Sequence, residues 1–531
     1  MPIKRFFASK DNTITNAMSP ALTTTSRATG SNMGAADVLE TFSIYGQASS
    51  STGLSQELSR MLIQFPIDAV SSARTAGTLP ASGDVSFYLK VFNAKHAFTL
   101  PRSFTLSVLP LSQSWEEGVG LDMEEYLDIT YDSSGSNWIN RGKESAWVLP
   151  GADYVTSSTF SAVNYTVSFD LGYEDINLNI TDLVEAWILG SAEAGGLDNY
   201  GVGIHFTGSQ EAYYSSSVEA PGPFQYEGSV IVNPGGSTVS YYTKKFFSRS
   251  SEYFFKRPVL EARWAPTVKD DRGNFYFSSS LAPGPDNLNT LYLYNYVRGQ
   301  LVDIPNVGAG APSPHDEILL SIYSGSSAPA GSKLVLPAGG GVITDLDVNV
   351  TGGRVSTGIY TASFAATGSL EKMFDVWHSG STEYFTSSYA PKKLVAYNNA
   401  PTFDFVTNVT NLKPKYSRSE KARMRLFVRP KNWNPNIYNI ATATTPNETI
   451  ISASYKIIRL TDNLEVISYG TGSDTSTYLS YDVSGNYFDV DMEMLEADYS
   501  YGMKLAFYNN SINTWVEQPY IFRFRVEEDV R

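Results

Sequence analysis

No cysteine occurs among the 531 residues. That excludes disulfides, thiolate nucleophiles and cysteine-ligated zinc, and it removes the covalent staples on which small secreted domains rely. Histidine is nearly as scarce, with four residues at 96, 205, 315 and 378 and no pair at a short metal-binding spacing. A GxSxG elbow is missing, so serine acyl transfer has no footing. The glycine-rich stretches AGGGV (338–342) and TGGRV (351–355) lack both the GxGxxG spacing and the P-loop lysine, and read as hairpin turns. Positive charge is in deficit, 39 Lys and Arg against 54 Asp and Glu, which argues against nucleic acid as a partner. No apolar run approaches the ~20 residues needed to span a bilayer, so membrane insertion is not expected. The N-terminal MPIKRFFASKDNTITNA has only the doublet Phe6-Phe7 after its first basic residues, far short of a signal peptide, and the expectation is a chain assembled in a cytoplasm.

What is abundant is aromatic and β-branched. The chain has 34 Tyr and 28 Phe, and segments such as SFYLKVFN (86–93), SFTLSVL (103–109), YTVSFDL (165–171), GVGIHF (201–206), TVSYYTKKFF (238–247) and RPVLEARW (257–264) alternate polar and apolar positions between Gly, Ser, Asn and Asp clusters. Alternation of this kind is the signature of sheets with one wet face, and it predicts an all-β, multidomain chain of sandwiches. The clearest helix is TDLVEAWILG, with Thr181 or Asp182 as cap, Leu183, Val184, Trp187 and Ile188 as its apolar stripe, and Gly190 as its stop.

At 531 residues the chain exceeds the size of a single core. Composition divides it into a sandwich over 1–265, a Pro-, Gly- and Asp-rich bridging segment over 266–311, a small sandwich over 312–401 (EILLSIY, SKLVLP, ITDLDVNV, GIYTASFA), and a C-terminal small sandwich over 402–531 (ARMRLFVR, ETIISASYKIIRL, GMKLAFY, YIFRFRV). The last two have the strand count of an immunoglobulin-sized domain without its Cys, Trp, Cys hallmark.

Carboxylates are the only candidate chemical groups in quantity. SQSWEEGVGLDMEEY (112–126) carries Glu116, Glu117, Asp122, Glu124 and Glu125 beside Trp115. A glycosidase would need two such groups in a cleft, and a structural calcium ion would need six or more oxygens, which Glu116, Glu117, Asp122 and nearby carbonyls could supply. Solvated carboxylates on an exposed loop are the simpler reading, no catalytic pair can be singled out, and no cofactor is expected. Trp115, Trp138 and Trp147 lie in the same region; aromatic platforms stack sugar rings, so these three are candidate glycan-stacking residues, with core packing as the competing role.

In order, FFASKDNTIT (Asp11 to Thr15), GSNMGAADVLETFSIYG (30–46), SRMLIQFPI (59–67, with Leu62, Phe65 and Ile67 inward), LPLSQSWEEG (109–118), SNWINRGKESAWVLPGADY (136–154), INLNITDLVEAWILG with NYGVGIHF (199–206), and FFSRSSEYFFKRPVLEARW (246–264) resemble the disaggregatase-related-repeat family. This resemblance implies a jelly-roll-like β-sandwich related in shape to carbohydrate-binding modules. The segments 411–440 and 454–474 resemble the large cysteine-free structural proteins of marine tailed phages. Together they imply a non-enzymatic virion protein of the tail or baseplate, docking to other virion proteins in a homo-oligomer or symmetric assembly. The alternatives are a host-glycan-binding, tail-fibre-like module and a capsid decoration or head-fibre protein.

Overall fold

The computed structural model describes residues 2–18, 27–46, 56–96, 100–121, 135–155, 160, 165–215, 226–227, 229–279, 281, 283–308, 317–342, 348–392, 405–431, 433 and 447–529. The chain is all-β, built mainly of antiparallel sheets, with two α-helices among the described residues, and it divides into compact units Pro2–Ala265 and Pro266–Arg531.

In the first unit the elements follow as β1 (Ile3–Phe7), β2 (Lys10–Thr15), β3 (Val38–Ile44), β4 (Glu57–Gln64), α1 (Ile67–Thr75), β5 (Ser86–Val91), β6 (Phe104–Pro110), β7 (Thr166–Phe169), β8 (Ile176–Asn179), α2 (Thr181–Leu189), β9 (Val202–Phe206), β10 (Tyr241–Phe247) and β11 (Val259–Arg263), with short two-residue and three-residue strands in the insertions. A four-stranded sheet has the order β1-β11-β5-β8, and a seven-stranded sheet the order β10-β3-β4-β9-β6-β7 with β2 on β4. Between them lies the main core, where Leu39, Met61, Ile63, Phe87, Leu89 and Leu260 are buried. Each such side chain contributes about 1.5–3 kcal/mol by leaving water.

α2 buries Leu183, Val184, Ala186 and Trp187 and ends at Gly190, φ 74°. Its first turn is closed from outside, because Asn179 Oδ1 accepts from both N–H and Oγ1 of Thr181 at 3.0 and 2.6 Å. Thr181 is therefore the first helical residue and Asn179, two positions earlier, does the capping.

β4, ELSRMLIQ, is buried on both faces. Met61 and Ile63 enter the main core, while Leu58, Arg60 and Leu62 point the other way into a second apolar layer with Ile14, Leu111, Trp115, Trp138 and Trp147. Leu62 thus sits opposite Phe65 and Ile67, which belong to the main core. The sheet has no wet face here because Leu111, the three tryptophans, Ala152 and Ala212, from the insertions that follow β6 and β9, cover it.

In the second unit, residues 266–311 do more than bridge. Asn289–Tyr294 pairs with Ile359–Phe364, and Phe275, Leu291, Leu293, Ile304 and Val307 enter one core with Ile318, Tyr360 and Trp377. Pro and Gly mark turns here, between strands of the same sandwich. Its other sheet runs Val350–Thr351, Leu319–Ser324, Met373–Ser379, Thr382–Tyr389. SKLVLP (332–337) is not a strand; it lies beside Leu319–Ser324 with Leu334 N–H on Ile322 O. The C-terminal sheets run Phe405–Val409, Lys421–Pro430, Gly485–Asp491, Ser480–Asp482 and Lys415–Ser417, Phe522–Glu527, Ser500–Asn509, Ala453–Arg459, Leu464–Ile467, with Thr514–Glu517 also on Ser500–Asn509. Tyr455 and Phe488 stack between these sheets, ring centres 4.3 Å apart.

Candidate functional site

The second apolar layer of the first unit is where the candidate residues converge. Trp115, Trp138 and Trp147 are 3%, 0% and 5% exposed. Each indole N–H donates to a backbone carbonyl: Trp115 to Tyr200 at 2.8 Å, Trp138 to Ser229 at 2.8 Å and Trp147 to Asn137 at 2.9 Å. A large apolar body with one polar handle suits a loop layer that must cover a sheet and still satisfy stray carbonyls. The glycan-stacking assignment is thereby corrected: none of the three rings offers a face to a sugar, because all three are spent roofing β4.

Under this roof lies Arg60, at an inward position of an otherwise apolar strand. Its guanidinium pairs with Glu211 at 2.8 and 3.0 Å, donates to Gly151 O at 2.8 Å, and stacks over Trp138 and Tyr154 at 5.5 and 5.6 Å from the ring centres. Burial by itself would raise the Glu211 carboxyl, but Arg60 and His205 beside it outweigh that and hold it down at about 2. Burial pushes the Tyr154 hydroxyl up to about 12 against the opposing pull of Arg60. The cluster is a locked ion pair, since a buried charge persists only when paired and hydrogen-bonded.

The carboxylate loop is tied down in the same manner. Glu117 takes Arg249 Nε and Nη2 at 2.5 and 2.6 Å and also the Asp11 backbone N–H at 2.8 Å. Asp11 in turn accepts the Arg249 backbone N–H at 2.6 Å. Burial raises the Asp11 carboxyl to about 7; the Arg249 N–H lowers it, and the charge on Glu117 raises it further. Glu116 accepts the N–H groups of Lys143 and Gly135 at 3.1 and 3.4 Å. Asn32 fills the loop's interior, donating to Glu117 O and Ser136 O at 2.7 and 2.8 Å and accepting from Gly120 at 3.0 Å. Gly118 is needed there: its φ is 83°, and a Cβ would lie 2.2 Å from the Asn32 side chain. Among the described residues no group of three acidic or histidine side chains is placed to hold a metal ion. Asp122, Glu124 and Glu125 lie outside the described residues.

The arrangement can therefore take up one proton near neutral pH, at Asp11, and can fix a loop; among the described residues of this layer, nucleophile, acid and base are not brought together. Glu211 was missed by sequence reading because it lies 151 residues from Arg60. The lone arginine inside SRMLIQF was the available signal, since an isolated cation at an inward strand position demands a partner.

No protein-family profile matches the chain, and no curated protein matches it. Solved structures show only faint likeness, and three illustrate it. A marsupial T cell receptor has 8% identity and a TM-score of 0.15 over 49% of this chain and 71% of its own. Alpha-2-macroglobulin of E. coli, in its native conformation, has 7% and 0.14 over 93% and 20%. Alpha-2-macroglobulin of Salmonella, reacted with methylamine, has 9% and 0.13 over 99% and 34%. This chain spans about a fifth and a third of the two macroglobulins, and superpositions this poor carry no argument about it.

Proposed function

We propose that this protein is a non-enzymatic structural component of a bacteriophage virion, at the tail or baseplate, which works by docking to neighbouring subunits in a symmetric assembly. The virion assignment rests on the sequence resemblance of the two halves. The docking role is supported by one contrast: the charges of the candidate site are consumed in internal pairs, whereas apolar side chains stand out on a sheet edge of the second unit. There Tyr296 and Val297 form one arm of a hairpin paired with Gln300–Leu301, and Val302 and Val355 flank the Asp303–Arg354 ion pair; all four are exposed, Tyr296 by 60%. Exposed aromatic and β-branched residues on rigid strands are the material of protein interfaces.

Mass spectrometry of density-purified particles of the source phage tests this reading, with immunogold labelling to locate the protein. Detection with label at the tail or baseplate is the expected result. Label on the head moves the protein to a decoration or head-fibre role. Absence from purified particles overturns the reading.

A further inference from the structure

Lys244 is fully buried, an unusual position for lysine. It lies on edge strand β10, where a register shift between Tyr241 and Lys244 precedes the stretch in which Lys244 and Phe246 face inward while Lys245 pairs outward with Glu40 at 2.8 Å. Its Nζ donates to Oδ1 of Asn93, to Gly172 O at 2.8 Å and to Glu174 O at 3.3 Å, and it lies over the rings of Phe246 and Phe169 at 4.6 and 5.3 Å. All three oxygens are neutral, and Lys244 has no ion-pair partner among the described residues. A buried ammonium with no counter-charge paired to it is costly even with three oxygens accepting its N–H groups, and giving up a proton removes that cost.

The remaining titratable groups around it are accounted for. Glu174 spends both carboxylate oxygens on the N–H groups of Asp170, Leu171 and Gly172. His96 accepts the Lys245 N–H at 2.9 Å and is lowered to about 4 by burial and by the charges of Lys244 and Lys245, so it stays neutral. Asp175 holds the Asn93 backbone N–H at 2.7 Å, next to the pair. The amine is thus packed against the side-chain amide of Asn93, with aromatic rings behind it and a carboxylate alongside.

The geometry points to an intramolecular amide bond between Lys244 Nζ and Asn93 Cγ, formed by the folded first unit on itself. The unprotonated amine attacks Cγ, and the bond from Cγ to the side-chain nitrogen breaks. A proton from the attacking amine passes through Asp175 to the departing nitrogen, which leaves as ammonia. Nothing is oxidised or reduced, and no co-reactant enters. Holding amine and amide in contact supplies the orientation that such an acyl transfer otherwise lacks, and the aromatic walls keep out the water that would compete. Burial lowers Lys244 to about 8, with Asp175 and Glu174 opposing, so a working fraction of the amine is unprotonated near neutral pH.

The bond would join two sheets. Asn93 continues β5 of the four-stranded sheet and bridges to Phe246 of the seven-stranded one, flanked by Ala94 N–H on Lys245 O and Phe247 N–H on Phe92 O at 3.0 and 2.9 Å. The partners lie 151 residues apart, so a single covalent link would close most of the first unit into a ring, in a chain that has no cysteine to do it.

Intact-mass spectrometry of the full chain is the test. The expected mass is one ammonia, about 17 Da, below that of the sequence, and proteolysis should yield a branched peptide joining the Asn93 and Lys244 segments. Lys244→Arg and Asn93→Ala should restore the full mass, and Asp175→Asn should slow the loss after synthesis. A wild-type chain with the full sequence mass, whose Lys244 peptide is linear and cut by trypsin, overturns the bond even where a variant fails to fold. An unchanged rate in Asp175→Asn overturns the proton relay assigned to that residue.

Discussion

The two compact units are both antiparallel β, yet they place their charged residues in contrasting ways. In the first, charge is taken inside beneath the covering layer, Arg60 with Glu211, while Glu261 with Arg5, Arg263 and Lys90 at 2.7, 2.8 and 3.7 Å lies on the outer face of the four-stranded sheet. In the second, most pairs lie across outward faces, as in Arg423 with Asp489, Arg459 with Asp462, and Lys456 and Lys504 on Glu517. Arg272, between Asp270 and Asp375, is the buried exception. The reason is architectural. A sheet covered on both faces leaves its polar residues no route to water, so they must be paired inside, whereas a sandwich with wet outer faces can carry its ions there at little cost or gain.

If that contrast is right, substitutions should act unequally. The largest effect is expected from Glu211→Ala, which strands the Arg60 cation under Trp138 and should cost about 3–5 kcal/mol in chemical denaturation of the full chain. A loss below ~1 kcal/mol would mean that the cluster is wetter than its burial implies. Next comes the acid dependence of the carboxylate loop. Asp11 is raised in the folded state, to about 7 from an ordinary 3.8, so the folded chain binds its proton more tightly than the unfolded chain does. Stability is therefore lost as pH rises through the window between these values, by at most ~1.4 kcal/mol per pH unit from this one group. Glu211 has the opposite sign and acts lower, its contribution being lost only as pH falls from about 4.5 towards 2. Asp11→Asn should accordingly flatten the stability profile between pH 4 and 7, and an unaltered slope would remove Asp11 from the account. The smallest effect is expected from Arg423→Ala, whose side chain is 52% exposed and whose loss should cost under ~1 kcal/mol in the same denaturation assay. A cost comparable to that of Glu211→Ala would erase the distinction between the units.

Much of the fold was legible because alternation is a local property. SFYLKV alternates between half-buried and buried along β5, as its sequence implies, and the LYLY of Asn289–Tyr294 does the same. SKLVLP carries an apolar LVL run yet forms no strand, since a strand also needs a free edge to pair with, and edges are set at long range. The same limit hid the covering layer. That Trp138 would find the carbonyl of Ser229, or Glu117 the side chain of Arg249, depends on loops that meet only after the sheets have formed. Tryptophans in a polar loop fit a sugar platform and a roof equally well, and only the residues beneath them decide. Bridging was likewise read from Pro and Gly between 266 and 311, where turns joining strands of one sandwich have the composition of a linker.

The pairing of β1 with β11, residue Ile3 against Arg263, also sets a schedule for synthesis. Strand β1 leaves the ribosome some 256 residues before its partner, as the Arg5 to Glu261 ion pair shows. At ~5–20 residues per second, the nascent chain carries β1 as an unpaired edge for on the order of tens of seconds. Lys4 and Arg5 in the middle of that strand supply the charge that keeps such an edge from pairing with a neighbouring nascent chain.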